Sequence, residues 1–272
     1  MQGRFGVFFV LALSLLASES YSDEYHFVDS TFCPLVCDPS EDGREGYVID
    51  ILRDALNEHG HTLTFSILPY RRAISMVRNG TADALPAIYH SDAPDLLVGS
   101  SVISPGSNQL FMRSDVYRDM GPLVDWSEIS LAVVDGYTFN NRALDEHLEK
   151  YRAEGSNQVT FVTGKESYER LVELLFRGRV DAIVDDSAFI YHALNKYLNT
   201  VVDAPEVSIV NAAFVSSGEN VVAYGFVNMD RSLELMSIID PFVLELYQTG
   251  RINDYTSPYG IVIEDGVVMP SD

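Results

Sequence analysis

The 272-residue sequence predicts an α/β fold of two similar lobes, each a mostly parallel sheet flanked by helices, with a hinge of two crossings between them. Three observations lead there. A segment recurs: residues 70–85 (YRRAISMVRNGTADAL) and 168–183 (YERLVELLFRGRVDAI) align without a gap at an offset of 168 − 70 = 98. Strand-like and helix-like stretches alternate in both halves, the pattern of parallel sheets covered on both faces. Apolar residues form 47% of the chain, enough for a substantial core and too many for disorder.

The elements follow in order. Arg4 precedes an apolar run over 5–16, and small residues follow at Ser18, Ser20 and Ser22. That run is too short to span a bilayer and has the layout of an export signal. Residues 1–22 are therefore read as a signal peptide cleaved near Ser20 or Ser22, with an N-terminal anchor as the alternative. Residues 25–30 read as a strand. Residues 46–59 carry Val48, Ile49, Leu52, Ala55 and Leu56 on one helical face. Residues 62–68 read as a strand.

In the repeat, Ala73, Ile74, Met76 and Val77 match Leu171, Val172, Leu174 and Leu175 at helical spacing. Gly80 and Gly178 then suit the left-handed position that ends a helix, and a short strand follows each. Asp83 and Asp181 precede those strands and read as structural. Between the repeats, 129–134 is a strand, 141–151 a helix and 158–162 a strand. Residues 108–113 carry the chain out of the first lobe and 220–228 carry it back. A helix over 233–248 packs on the first lobe. Lobe one is thus 23–112 plus 226–272, and lobe two is 113–225.

Cys33 and Cys37 are the only cysteines. In an exported chain they form a small disulfide loop, and their three-residue spacing argues for a structural bridge over a redox-active pair. Two thiols exclude a four-thiolate zinc site. Asp38, Ser40, Asp42 and Gly43 imitate a calcium loop, but its twelfth position is Ile49 instead of a glutamate. No metal and no cofactor is expected. The formal charge is −22, and a chain so poor in lysine and arginine is unsuited to nucleic acid or an anionic membrane.

Parallel sheets bind ligands beyond the carboxyl ends of their strands. Those ends here are Phe32, Tyr70, residues 88–91 with Tyr89 and Ser91, residues 135–139, and Asp185 with Asp186. Two facing lobes would set them across one cleft.

The motifs Gly-Tyr-Val-Ile-Asp-Ile-Leu (46–52), Tyr-Arg-Arg-Ala…Asn-Gly-Thr-Ala-Asp-Ala (70–84) and Arg-Gly-Arg-Val-Asp-Ala-Ile-Val-Asp-Asp (177–186), in that order, resemble the periplasmic solute-binding proteins of the polar amino acid type, family 3. The resemblance implies the type II periplasmic-binding-protein fold. It implies a monomer in the periplasm that captures a small polar solute for an ABC permease of the inner membrane, without chemistry on the solute. It also implies that Phe32 and Tyr70 supply aromatic faces to the ligand. Thr138, after Gly136 and Tyr137, would open a helix and bind a ligand carboxylate. Asp186, beside Asp185, would bind an ammonium.

The chain departs from the family pattern at the arginine that clamps a ligand carboxylate. No arginine lies between Arg78 and Arg113, so standard amino acids are expected to bind weakly. Arg72 stands in as the positive group, and Tyr89 is a further ligand face. Each residue has a plainer role beside this one: Tyr70 as a rim aromatic, Arg72 as a solvated helix residue, Thr138 as a helix cap, and Asp185 and Asp186 as turn acids. Two other functions stay open. One is an enzyme on the same scaffold, dehydratase-like, using Glu173 and Asp185. The other is a sensory module that docks on a receptor.

Overall fold

The computed structural model describes residues 22–117, 124–154, 157–164, 166–201 and 207–271. The expected signal segment, apart from Ser22, lies outside the described residues.

In chain order the elements are β1 (Glu24–Asp29), α1 (Pro39–Asp42), α2 (Tyr47–Glu58), β2 (Thr62–Ile67), α3 (Tyr70–Arg78), β3 (Ala84–Tyr89), β4 (Leu97–Arg113), β5 (Leu131–Val134), α4 (Arg142–Glu154), β6 (Val159–Val162), α5 (Ser167–Phe176), β7 (Ala182–Asp186), α6 (Ser187–Thr200), β8 (Ile209–Tyr224), α7 (Met229–Thr249), α8 (Ile252–Thr256), β9 (Ile261–Glu264) and β10 (Val267–Pro270). An eight-stranded sheet runs β2-β1-β3-β8-β4-β7-β5-β6, and β9 and β10 form a separate hairpin.

The sheet has a parallel trio at each end. β2, β1 and β3 pair in parallel on one side, and β7, β5 and β6 on the other. The long strands β4 and β8 run antiparallel between them. The expected crossings over 108–113 and 220–228 belong to these strands. β8 pairs with β3 as far as Tyr89↔Asn220, and β4 pairs with β7 only from Asn108↔Asp186. Between those points Pro105, Gly106 and Ser107 face Glu219, Gly218 and Ser217, paired only with each other. A two-stranded seam thus joins two parallel half-sheets in one sheet. At its centre Gly106 faces Gly218, and the Tyr89 ring packs on both. A Cβ on Gly218 would lie 2.5 Å from Tyr89 Cε1, and one on Gly106 2.9 Å from the Tyr89 hydroxyl, so neither position has room for a side chain.

The two repeats fold alike. Each is a helix, a glycine with positive φ (Gly80 at 73°, Gly178 at 60°) and a strand. Ala73, Ile74 and Val77 are buried on α3, and Leu171, Val172 and Leu175 on α5. Met76 and Leu174, also expected inside, are only partly buried. Asp83 Oδ2 accepts the His26 N–H at 2.7 Å, and Asp181 Oδ2 accepts the Ser130 N–H at 2.8 Å. The expectation that these acids are structural is met: each holds the start of the neighbouring strand.

The largest core joins α2, β1 and α7, with Leu235, Ile238, Ile239, Val243 and Leu246 against Tyr25, Phe27 and Leu52. The C-terminal helix thus packs on the first half, as expected, and Asp240 pins it by accepting the Ser100 N–H at 2.8 Å. The second half has its own core around Leu131, Val133, Leu144 and Leu148. Asp38 in the calcium-like stretch caps α1, accepting the Ser40 N–H at 2.9 Å. Among the described residues no helix is long and apolar enough to cross a membrane.

Candidate functional site

β1 ends at Asp29 and leads into a loop closed by the Cys33–Cys37 disulfide, whose Cα atoms are 4.5 Å apart. The Phe32 N–H donates to the Val36 carbonyl at 2.8 Å within that loop. Opposite the loop stand the carboxyl ends of β5 and β6, the first turn of α5, and α6. The space between is a cleft of about 1050 Å³ lined by Phe32, Cys33, Tyr137, Tyr168, Phe189 and His192, among others.

Behind the cleft wall lies a buried acidic group. β7 ends in Asp185 and Asp186, which are 2% and 3% exposed. Asp186 does two structural jobs. Its Oδ1 accepts the Ala188 N–H at 2.8 Å and caps α6, and its Oδ2 accepts the Ser107 N–H at 2.9 Å on the seam strand. Burial pushes its carboxyl up to about 6, against the lowering pull of those two hydrogen bonds. Asp185 Oδ1 accepts the Asp186 N–H at 2.8 Å, but its Oδ2 is buried without a hydrogen-bond partner. Burial pushes Asp185 well above the usual carboxylate range, and the neighbouring Asp186 adds to this. Asp29, fully buried at the end of β1, is alike: Oδ1 accepts the Ser30 N–H at 2.8 Å, Oδ2 has no partner, and burial raises its pKa. Among the described residues no lysine or arginine forms an ion pair with these three acids.

Tyrosines surround the acids. Burial raises Tyr89, Tyr168 and Tyr137, and the charges of the 185–186 pair raise the first two further, that of Asp185 the third. The Tyr137 and Tyr168 hydroxyls are 3.2 Å apart, and the Tyr168 ring lies 4.9 Å from that of Phe189. Tyr70 donates its hydroxyl to Asp92 Oδ2 at 2.9 Å, and its pKa is raised by burial, then by Asp92, with smaller effects of Asp29 and Tyr137.

Of the residues expected in the site, Phe32 and Tyr137 line the cleft. Tyr89, Asp185 and Asp186 gather at the seam behind it. Tyr70 sits at the start of α3, in reach of Asp29. The others stand apart. Ser91 is exposed in a single turn over 90–92. Arg72 is exposed, pairs with nothing among the described residues and is not among the cleft-lining side chains. Thr138 does not open a helix. α4 begins at Arg142, where Asn141 Oδ1 accepts the Leu144 N–H at 3.2 Å and Asp145 Oδ1 takes the Phe139 N–H at 2.9 Å. Thr138 is left exposed in the preceding loop because those two side chains satisfy the backbone donors there.

Within the stretch without an arginine, residues 90–92 after β3 fold as a surface turn, and Arg78 is engaged outward, donating to both oxygens of Asp95 at 2.6 and 2.7 Å. Glu173, the other acid weighed for catalysis, pairs with Arg177 on the α5 surface and lies outside the cleft. Sequence reasoning missed Asp29, Phe189 and His192. It used Tyr168 only as a repeat marker, although its match to Tyr70 was the signal for a second aromatic at the site.

No family model matches this chain, and no curated protein sequence matches it. Solved structures do. One is the open substrate-binding domain 2 of GlnP from Lactococcus lactis, at a TM-score of 0.62 and 17% identity over 88% of this chain and 95% of that one. Another is the unliganded, open L-cystine solute receptor of Neisseria gonorrhoeae, at 0.60 and 13% over 88% and 93%. A third is a histidine kinase sensor domain with similarity to periplasmic binding proteins, at 0.56 and 16% over 88% and 95%. This chain shares their fold. By their names these neighbours are a substrate-binding domain, a solute receptor and a sensor domain.

Proposed function

We propose that this chain is an exported solute-binding protein that takes up a small polar solute, cationic at one end, between two lobes, and passes it to an ABC importer. In this reading the lobes meet at the seam of residues 105–107 and 217–219, inside the expected boundaries at 112/113 and 225/226. Closure over ligand favours the state in which both lobes touch it. The observation that carries the reading is Asp185 Oδ2. A carboxylate oxygen buried without a donor is costly to keep, and here it sits among tyrosines with no cation of the protein to meet it. A ligand ammonium supplies the missing donor, and the tyrosine rings add cation–π attraction. The similar domains include binders of amino acids by their names, among them a cationic amino acid solute-binding protein. With no arginine to clamp a carboxylate, we place the ligand among amines and quaternary ammonium solutes, not the standard amino acids.

Thermal-shift and calorimetric titration with putrescine, glycine betaine and the twenty amino acids tests this. A non-carboxylate amine is expected to bind best, and Asp185→Asn to weaken it about ten- to a hundredfold, the value of one charge-assisted hydrogen bond. Tight binding of a common amino acid, unchanged in Asp185→Asn, would overturn both ligand class and site. The sensor-domain neighbour favours one second reading, a soluble module that docks on a membrane receptor; co-purification with a permease separates the two.

A further inference from the structure

We infer that the Cys33–Cys37 bridge is a thiol-exchange site in the cleft wall, with His192 as the base that admits a small aminothiol. Three observations converge. Cys33 is partly exposed and lines the cleft, whereas Cys37 is fully buried, so an incoming thiol has one sulfur to attack. His192 Nε2 lies 3.4 Å from Cys33 Sγ. Its Nδ1 is 2.8 Å from the Tyr259 carbonyl, which only accepts, so the ring proton sits on Nδ1 and Nε2 turns its lone pair to the sulfur. Tyr259 is itself fixed, its hydroxyl accepting the Gly46 N–H at 3.0 Å.

The groups that face His192 are Lys196 on its own helix, Glu169 on α5 and Asp42 at the end of α1. Burial, the largest influence, lowers its pKa below that of a free histidine, so the ring is the neutral base at pH 7. The three-residue spacing that argued against a redox-active pair leaves exchange open, because exchange needs an accessible sulfur and an attacking thiolate, and a leaving thiol of ordinary pKa slows the step without forbidding it.

The step balances. The thiol gives its S–H proton to His192 Nε2 as its sulfur attacks Cys33 Sγ. The Cys33–Cys37 bond breaks, its electron pair leaves on the Cys37 sulfur, and that sulfur takes the proton from His192. One disulfide and one thiol replace one disulfide and one thiol, with no outside oxidant or reductant. Cys37, buried beside Cys33, then resolves the mixed disulfide by the reverse step. The same geometry gives a preference for charge, since acidic side chains in the cleft lining outnumber Arg170 and Lys196. Cationic aminothiols are favoured over anionic thiols. A metal at Cys33, Cys37 and Asp42, which lie within 4.8 Å of one another, is not the alternative, because both sulfurs are bonded to each other.

The probe is 2-aminoethanethiol, with mercaptoacetate as its anionic counterpart. The folded, oxidised protein is mixed with each, quenched in acid, alkylated and mapped by peptide mass. The adduct is expected on Cys33 and the alkyl group on Cys37, with the aminothiol faster after correction for thiolate fraction. His192→Gln is expected to slow the reaction about a hundredfold at pH 7, the scale of a positioned base. That gap closes as pH rises past the thiol's own pKa of ~8.5, where no base is needed. A merely structural histidine would not give this pH signature. An adduct on Cys37, or reaction only after denaturation, would overturn the inference even if His192→Gln does not fold. Equal rates in a folded His192→Gln would overturn it too. Adduct formation on Cys33 in a protein that shows no calorimetric binding of simple amines would leave this inference standing while the cation site falls, so the two readings fail separately.

Discussion

The segments α3–β3 and α5–β7 are the same framework with different endings. Both bury a three-residue helical face, both turn on a glycine with positive φ, and both hold a neighbouring strand with an aspartate. In register, however, Ala87, Ile88 and Tyr89 of the first stand where Asp185, Asp186 and Ser187 of the second stand. The first ends apolar, against the core of Val28 and Leu85. The second ends in two buried acids. Framework and chemistry are thus carried by separate residues, and of the two repeats only the second ends in acids.

The largest expected effect comes from removing that difference. Ile88→Asp gives the first repeat the acid of the second, but Ile88 is 2% exposed and packs in an apolar cluster. A buried carboxyl there is expected to cost about 3 kcal/mol or more, seen as a lower urea midpoint. Unchanged stability would mean that the two strand ends are equivalent after all.

The strand-holding aspartates test the shared part. Asp83→Ala orphans the His26 N–H and strips Arg231 of its closest carboxylate, at 2.6 Å, whereas Asp181→Ala orphans the more exposed Ser130 N–H. Losses of about 2–3 and about 1 kcal/mol are expected in that order. The reverse order in denaturant melts would show that Arg231 contributes nothing to the first half.

Asp185→Asn isolates the site. The amide keeps an oxygen for the Asp186 N–H and removes a carboxyl that burial disfavours in its charged form. Ligand-free protein is expected to gain about 1 kcal/mol at neutral pH, or roughly 2–4 °C in Tm, while cation affinity falls. The pH sign follows from the raised pKa values. A carboxyl whose folded pKa exceeds its unfolded one stabilises the fold below the unfolded value and loses this as pH rises through the folded value. For Asp186 that window runs from 3.8 to about 6. Cation binding moves the other way, weakening as pH falls and Asp185, held well above the usual carboxylate range by its burial, takes up its proton. Titration calorimetry across that window checks both slopes.

Much of this was legible in the sequence. The repeat carried its own proof in gapless spacing, and it placed Tyr70, Asp185 and Asp186 at strand ends. The disulfide followed from an export-like leader and a cysteine pair. The seam was not legible, because Pro105, Gly106, Ser107 and Asn108 are poor strand formers held in strands by partners distant in sequence. Helix α6 and the β9–β10 hairpin went unassigned for want of a repeat partner. Thr138 was misplaced because a threonine near a glycine imitates a cap, while Asn141 and Asp145, just beyond, satisfy the donors. The unpartnered oxygens of Asp29 and Asp185 depend on what is absent around them, which no local pattern records.

The seam has a mechanical consequence. β4 and β8 are 17 and 16 residues long and stay bonded to each other from one half-sheet to the other. The halves are therefore joined by a continuous ribbon, not by two independent strings. Its narrowest point is at Gly106 and Gly218, which carry no side chains of their own and are braced by the Tyr89 ring and by the Asp186 carboxylate that accepts the Ser107 N–H. An elastic strip of this kind returns to a preferred angle when released, so the angle between the half-sheets is set by backbone stiffness, one tyrosine and one buried carboxylate.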